Sequence, residues 1–233
     1  PMSIDPDNGI EVPQILLILK DIMINLNGME TEGIFRLAGL ESEMAVLKTK
    51  IEKGQTFQCL NPHSIATLIK RWYKELPGRL LEDLKSETSN EILLNLHTEL
   101  SDIEYRLFNW LICLLLQVSE NEEKNKMDGK NCAIVWGPAL VGTSSSKAKG
   151  YVGASMEDFE RTKLGITAVE LNIMHHKMNN TIPKNQYTGD SGSSISVRSK
   201  SCNAICGKSA NASSKITKAR RLTFFSKSKK KLK

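Results

Sequence analysis

Side chains suited to acid–base, nucleophilic or metal chemistry are sparse in these 233 residues, and none fall into a catalytic spacing. The four histidines are His63, His97 and the adjacent His175 and His176. None has acidic partners at the separations a metal site needs, so no metal is expected. The five cysteines, Cys59, Cys113, Cys132, Cys202 and Cys206, are odd in number and follow no disulfide framework. The first three lie in or beside apolar patterns and read as reduced, buried thiols of a cytosolic protein. Cys206-Gly207-Lys208-Ser209 ends like a phosphate-binding loop. Cys202, however, stands where that motif begins with glycine, and no strand precedes it.

Cations offer more. Arg36 lies in the segment TEGIFRLAG (31–39), alone among apolar side chains and between Gly33 and Gly39. The glycines admit backbone angles that other residues resist. Ile34, Phe35 and Leu37 are expected to pin a short loop onto a core and leave the guanidinium pointing outward. An always-protonated group with several fixed donors suits a site where negative charge gathers. The competing reading is an ordinary surface arginine with a packed stem. Lys70 and Lys74 stand four residues apart on one flank of a helical stripe containing Trp72 and Tyr73. They are either solvated lysines beside a core or a basic patch for a phosphate or acidic partner.

The elements that must carry these cations are helices. Val12, Ile15, Leu16, Leu19, Ile22, Met23 and Leu26 recur at helical spacing, with Pro13 in the first turn and Gly28 beyond the end. Met44, Leu47 and Ile51 mark a shorter helix stopped at Gly54. A stripe from Ile65 to Leu76 begins near Pro62 and stops at Pro77-Gly78, and Ile92, Leu93, Leu96 and Leu100 follow. Ser101 and Glu104 form a capping box. It opens a helix that is apolar nearly all round, with Ile103, Leu107, Trp110, Leu111, Leu114, Leu115 and Val118 on one face; it is expected at the centre of the fold. A short apolar segment from Cys132 to Trp136 is expected to end at Gly137-Pro138, and a last helix runs from about Phe159 to Met178. No two-residue alternation appears. The fold class expected is all-α: an N-terminal extension (1–10), a single helical domain (11–178) and a disordered, Ser/Lys-rich basic tail (179–233).

Charge divides the chain in the same way. The net +6 conceals +12 from residue 181 onward against −6 before it. Residues 179–215 carry too little apolar content to offset the entropy of ordering. Residues 215–233, KITKARRLTFFSKSKKKLK, join Arg220, Arg221 and Lys229, Lys230, Lys231 to Leu222, Phe224 and Phe225. That mixture fits an anionic membrane surface, with an import receptor or nucleic acid as rivals. No stretch reads as a signal peptide or a membrane span. The expected location is cytoplasmic, with peripheral-membrane or nuclear targeting through the tail.

Four segments in one order, TEGIFRLAG (31–39), HSIATLIKRWYKELPGRLL (63–81), NKM (125–127) and NCAIVWGPAL (131–140), resemble the signature of the Rho GTPase-activating protein domain. EVPQILLILKDIM (11–23) resembles its first core helix. The resemblance implies an all-helical fold and no enzyme activity of its own. It implies acceleration, in trans, of GTP hydrolysis by a Rho/Rac-family small GTPase in its GTP-bound state. Arg36 then takes the place of the arginine finger. Lys70 takes that of the lysine that supports the finger loop and touches the GTPase, and Asn131 that of the asparagine contributing to loop and interface. Lys74, also expected at the GTPase, stands where the family commonly has arginine, and Ala139 where it often has asparagine. GTP and magnesium would belong to the partner, so no cofactor is expected, and the chain is expected to be a monomer. Two alternatives stay open: a GTPase-binding module with little activating power, and a nucleic-acid binder acting through the tail.

Overall fold

The computed structural model describes residues 1–55, 61–84, 88–142 and 155–179. Among these stand eight helices and one short antiparallel hairpin, so the all-helical class holds with a small addition at the N-terminus. The hairpin pairs β1 (Met2–Ile4) with β2 (Glu11–Pro13) in the register Met2–Pro13, Ser3–Val12 and Ile4–Glu11. Val12, expected in the first helix, is therefore a fully buried strand residue, and Pro13 leads directly into α1 (Gln14–Asn25). Strands of three residues are too short to show alternation, which is why the periodicity gave no sign of them.

The hairpin belongs to the packed body. Its loop carries Asp5, fully buried, which accepts bonds from Lys20 Nζ at 2.8 Å and Trp110 Nε1 at 2.7 Å. Residues 1–10 thus do not trail from the domain; they are clamped to α1 through Lys20 and to the central helix α5 (Asp102–Ser119) through Trp110.

A 3-10 turn over Gly28–Glu30 leads into the Arg36 loop, followed by α2 (Glu41–Glu52), α3 (Pro62–Lys74) and α4 (Ser89–Glu99). Asn61 caps α3 through its side chain, and Pro62 occupies the first turn, where its missing N–H costs nothing. The capping box of α5 (Asp102–Ser119) forms as its sequence requires, between Ser101 and Glu104; a second joins Thr88 to Glu91 at α4. α5 buries Leu107, Phe108, Trp110, Leu111, Ile112, Leu114, Leu115 and Val118 at the centre of the core. Ile103, expected on that face, lies in the first turn and is exposed together with Ser101 and Asp102, burial being continuous only from Leu107.

A short α6 (Glu122–Asn125) precedes α7 (Gly129–Val141), and α8 (Met156–Asn179) closes the bundle. α7 does not stop at Gly137-Pro138. Pro138 and Ile134, whose carbonyl the proline ring leaves without its helical donor, are both on the exposed side of the helix. The buried Gly137 explains the persistence: a Cβ there would fall 2.5 Å from the Ile166 backbone nitrogen, so only glycine lets α8 pack this closely. Cys59, Cys202, Cys206, residues 143–154 and the whole tail from residue 180 lie outside the described residues.

Candidate functional site

The Arg36 loop is a tight turn built on Gly33. Gly33 adopts φ 67, and its carbonyl accepts the Arg36 and Leu37 amides, each at 2.9 Å. Its own N–H donates to the Asn125 carbonyl at 2.7 Å. Phe35 has φ 65, a conformation costly for a bulky side chain. Packing holds it there: its ring meets Trp136 of α7 edge to face with centroids 5.2 Å apart, and Trp136 meets Tyr73 of α3 at 5.5 Å. The Tyr73 hydroxyl donates to the Leu107 carbonyl at 2.9 Å, tying the chain of rings to α5.

Ile34 and Phe35 are buried, as anchors must be. Leu37 is not; 49% of it is exposed, and its side chain rests over Gly33 beside the arginine. Two anchors and the Gly33 turn suffice, which leaves Leu37 on the surface. Arg36 is exposed, and among the described residues its guanidinium takes part in no hydrogen bond or ion pair. One Nη lies 3.4 Å from where a Cβ on Gly33 would stand.

The far end of the loop is fastened to α3. Gly39 N–H donates to Thr67 Oγ1 at 2.9 Å and Leu40 N–H to Ser64 Oγ at 3.2 Å. Ser64 in turn bonds Glu43 of α2. A Cβ on Gly39 would stand 2.3 Å from Ser64 Cα, so loop and helix touch backbone to backbone. The small hydroxyl residues inside the apolar stripe of α3 were the available signal for this contact. Arg71, one residue past Lys70, is engaged elsewhere, in a two-pronged pair with Glu41 at 2.9 and 2.8 Å.

Lys70 is half-buried and Lys74 exposed, one turn apart on α3. Burial, and then the neighbouring Lys74 charge, pull the Lys70 ammonium below the ordinary lysine value of 10.5. Asn131 lies in the first turn of α7. Its backbone N–H is capped by Asp128, and its side-chain amide donates to the Lys126 carbonyl at 3.1 Å. Lys126 takes the left-handed φ 59 and follows Asn125, whose carbonyl holds Gly33. The Arg36 loop is thus joined to α3, which carries the two lysines, by aromatic contacts and to the first turn of α7, which carries Asn131, by hydrogen bonds. Ala139 is buried against the core and presents no polar group.

The histidines do not converge: His97 sits beside Tyr105, and His175 beside His176 on α8. Among the described residues no three His, Cys, Asp or Glu side chains come together as metal ligands would. No helix among them is long and apolar enough to cross a membrane. Arg220, Arg221, Lys229, Lys230 and Lys231 lie outside the described residues.

Comparison with known proteins gives the family and the fold. The RhoGAP domain model matches residues 13–145. Among curated proteins, Rho GTPase-activating protein gacA of Dictyostelium discoideum is 37% identical over 145 residues, covering 60% of this chain and 43% of that one. Rho GTPase-activating protein 2 of Arabidopsis thaliana is 34% identical over 144 residues, covering 58% and 33%. The chain therefore spans less than half the length of these relatives. Two solved structures share the fold. The BH domain from GRAF, the GTPase regulator associated with focal adhesion kinase, aligns with a TM-score of 0.53 at 23% identity over 72% of this chain and 95% of its own. Human Rho GTPase activating protein 15 aligns with a TM-score of 0.52 at 19% identity over 68% and 80%. The chain belongs to the RhoGAP domain family.

Proposed function

We propose that this chain activates a Rho/Rac-family small GTPase in its GTP-bound state by inserting Arg36 into the partner's nucleotide site. The observation that carries the reading is an exposed guanidinium, unengaged among the described residues, on a loop anchored by Phe35 and Gly39. As the γ-phosphate bond breaks, charge grows on the bridging and γ-phosphate oxygens. The GTPase supplies the nucleotide, magnesium and the water-orienting glutamine. What it lacks is a cation aimed at that new charge. A guanidinium already in place meets it without reorganisation, in a site from which water is excluded. A finger supplied in trans is worth about 10³ to 10⁵ in rate, roughly 4 to 7 kcal/mol of barrier. Lys70, Lys74 and Asn131 provide the docking contacts around it, and the protein itself performs no covalent chemistry.

The test is single-turnover phosphate release from a panel of GTP-loaded small GTPases, with and without the chain. Acceleration of a Rho-type member supports the proposal. Binding without acceleration assigns a recognition module instead.

The tail carries a second reading, supported by the +12 charge gathered after residue 181 and by Phe224 and Phe225 among the basic clusters. Each Lys or Arg near an anionic leaflet is worth about 1 kcal/mol, and two phenylalanines suit the interface. Arg220, Arg221, Lys229, Lys230 and Lys231 would thus hold the activator at an anionic membrane surface. Vesicle sedimentation across salt concentrations, with and without residues 215–233, tests this. Indifference to anionic lipid leaves nuclear import or nucleic acid as the tail's role.

A further inference from the structure

We infer that Asn125 is the positioning residue for Arg36: its buried amide sets the turn that presents the guanidinium and couples that turn to Asn131. Asn125 has no exposed surface. Its side-chain nitrogen donates to the Met29 carbonyl and to the Val118 carbonyl, each at 2.7 Å, and its side-chain oxygen accepts the Met127 N–H at 2.7 Å. Its backbone carbonyl accepts the Gly33 N–H at 2.7 Å.

Asn125 therefore grips the finger loop at two points, through its side chain at Met29 and through its backbone at Gly33. The Val118 contact fixes this grip to the end of α5, whose last carbonyls have no partner within the helix. Gly33 is held from both sides, its N–H by Asn125 and its carbonyl by the Arg36 and Leu37 amides. The next residue, Lys126, turns left-handed and offers its carbonyl to Asn131. One dipeptide thus orients both the finger loop and the first turn of α7. An amide of this length serves both: aspartate cannot donate to two carbonyls, and an apolar residue would take the side-chain donor from the Met29 carbonyl and leave the Val118 carbonyl with the Asn121 N–H at 3.1 Å.

The inference rests on the reading of Arg36 as the group delivered to the partner, because only then does the placement of the turn set a rate. A group displaced by about 1 Å from its productive position loses on the order of a hundredfold. Asn125→Ala and Asn125→Asp, in the full chain, are compared with wild type in single-turnover assays over a range of activator concentrations. The expected result is a plateau rate lowered roughly 10- to 100-fold with little change in the half-saturating concentration. The preference for GTPase loaded with GDP and aluminium fluoride over a non-hydrolysable GTP analogue should fall with it. A plateau equal to wild type in a cooperatively folded variant overturns the inference. A purely structural residue would lower the folded fraction and leave the plateau per folded molecule untouched. Absence of acceleration by wild type would refute the functional reading instead. In that case, or if the variants do not fold, amide exchange at Gly33 in the wild-type protein decides. Protection like that of interior α5 amides supports the grip, and exchange at the rate of an open peptide removes it.

Discussion

Phe35 and Trp136 meet edge to face, with planes 68° apart, one residue before the arginine that the loop exposes. This contact joins a strained backbone to the core. Phe35 keeps a left-handed φ only because its ring is seated between the loop and α7. Phe35→Ala removes the seat and keeps an unfavourable backbone, so it should destabilise the fold by about 3–5 kcal/mol. Stimulated hydrolysis should fall further than the folded fraction does. Urea unfolding and phosphate release on the same samples measure the two effects.

Arg36 itself is a cleaner probe, because its exposed side chain makes no described bond that the fold needs. Arg36→Ala should leave the melting temperature unchanged and lower the stimulated rate by about 10³-fold or more. Arg36→Lys should restore little, since a point charge lacks the planar fork. Retained binding to the GTP-bound partner, measured by titration, should accompany both losses. Unchanged stimulation in either variant would remove Arg36 from the role.

The helices that frame this site could be read from spacing, because α1 and α3 each bury one periodic stripe, α5 is apolar nearly all round, and α3 and α5 open on recognisable caps. The Arg36 loop was found by its residue types and by the order of four segments. Three features left no such trace. The hairpin is too short for a period. α7 continues through Pro138 because Gly137 meets α8, a contact between residues distant in sequence. The Asn125 network recognises main-chain carbonyls of Met29 and Val118, which carry no side-chain identity to read. Leu37 was misplaced for a related reason: two anchors and a glycine turn already fixed the loop, and apolarity alone does not tell an anchor from a surface residue.

Lys70 should separate stability from function. Its ammonium lies below the ordinary lysine value, first because it is half-buried and second because Lys74 is near. The folded state therefore holds this proton less tightly than the unfolded chain, and the charge opposes folding until pH rises through the depressed value. Lys70→Met, which keeps the stem and removes the charge, should raise the melting temperature slightly at neutral pH. The same variant should weaken GTPase binding and lower stimulation together, as loss of a contact made in both ground and transition states does. For wild type, affinity should decline as pH rises towards 10.5, beginning earlier than for an exposed lysine. Thermal melts and binding titrations over pH check both signs.

The buried pair of Lys20 and Asp5 carries the opposite sign. Burial alone would pull the Lys20 ammonium down, but its bonds to Asp5 and Asp7, at 2.8 and 2.7 Å, more than offset this, and the group rises above 10.5. A raised folded value means stability that is fully present below the unfolded value and lost as pH climbs through the folded one. Lys20→Met breaks the pair and leaves the Asp5 carboxylate buried without a counter-charge, held by the Trp110 and Asp7 N–H groups and the weaker Asn8 contact, which should cost about 3–5 kcal/mol. The unfolding midpoint should drop accordingly at neutral pH, and the alkaline loss of stability in wild type should be absent from the variant. Because the pair clamps the hairpin to α1 and α5 and does not touch the Arg36 loop, stimulation per folded molecule should persist at low temperature. Equal midpoints for wild type and variant would show that the hairpin clamp contributes nothing to the fold.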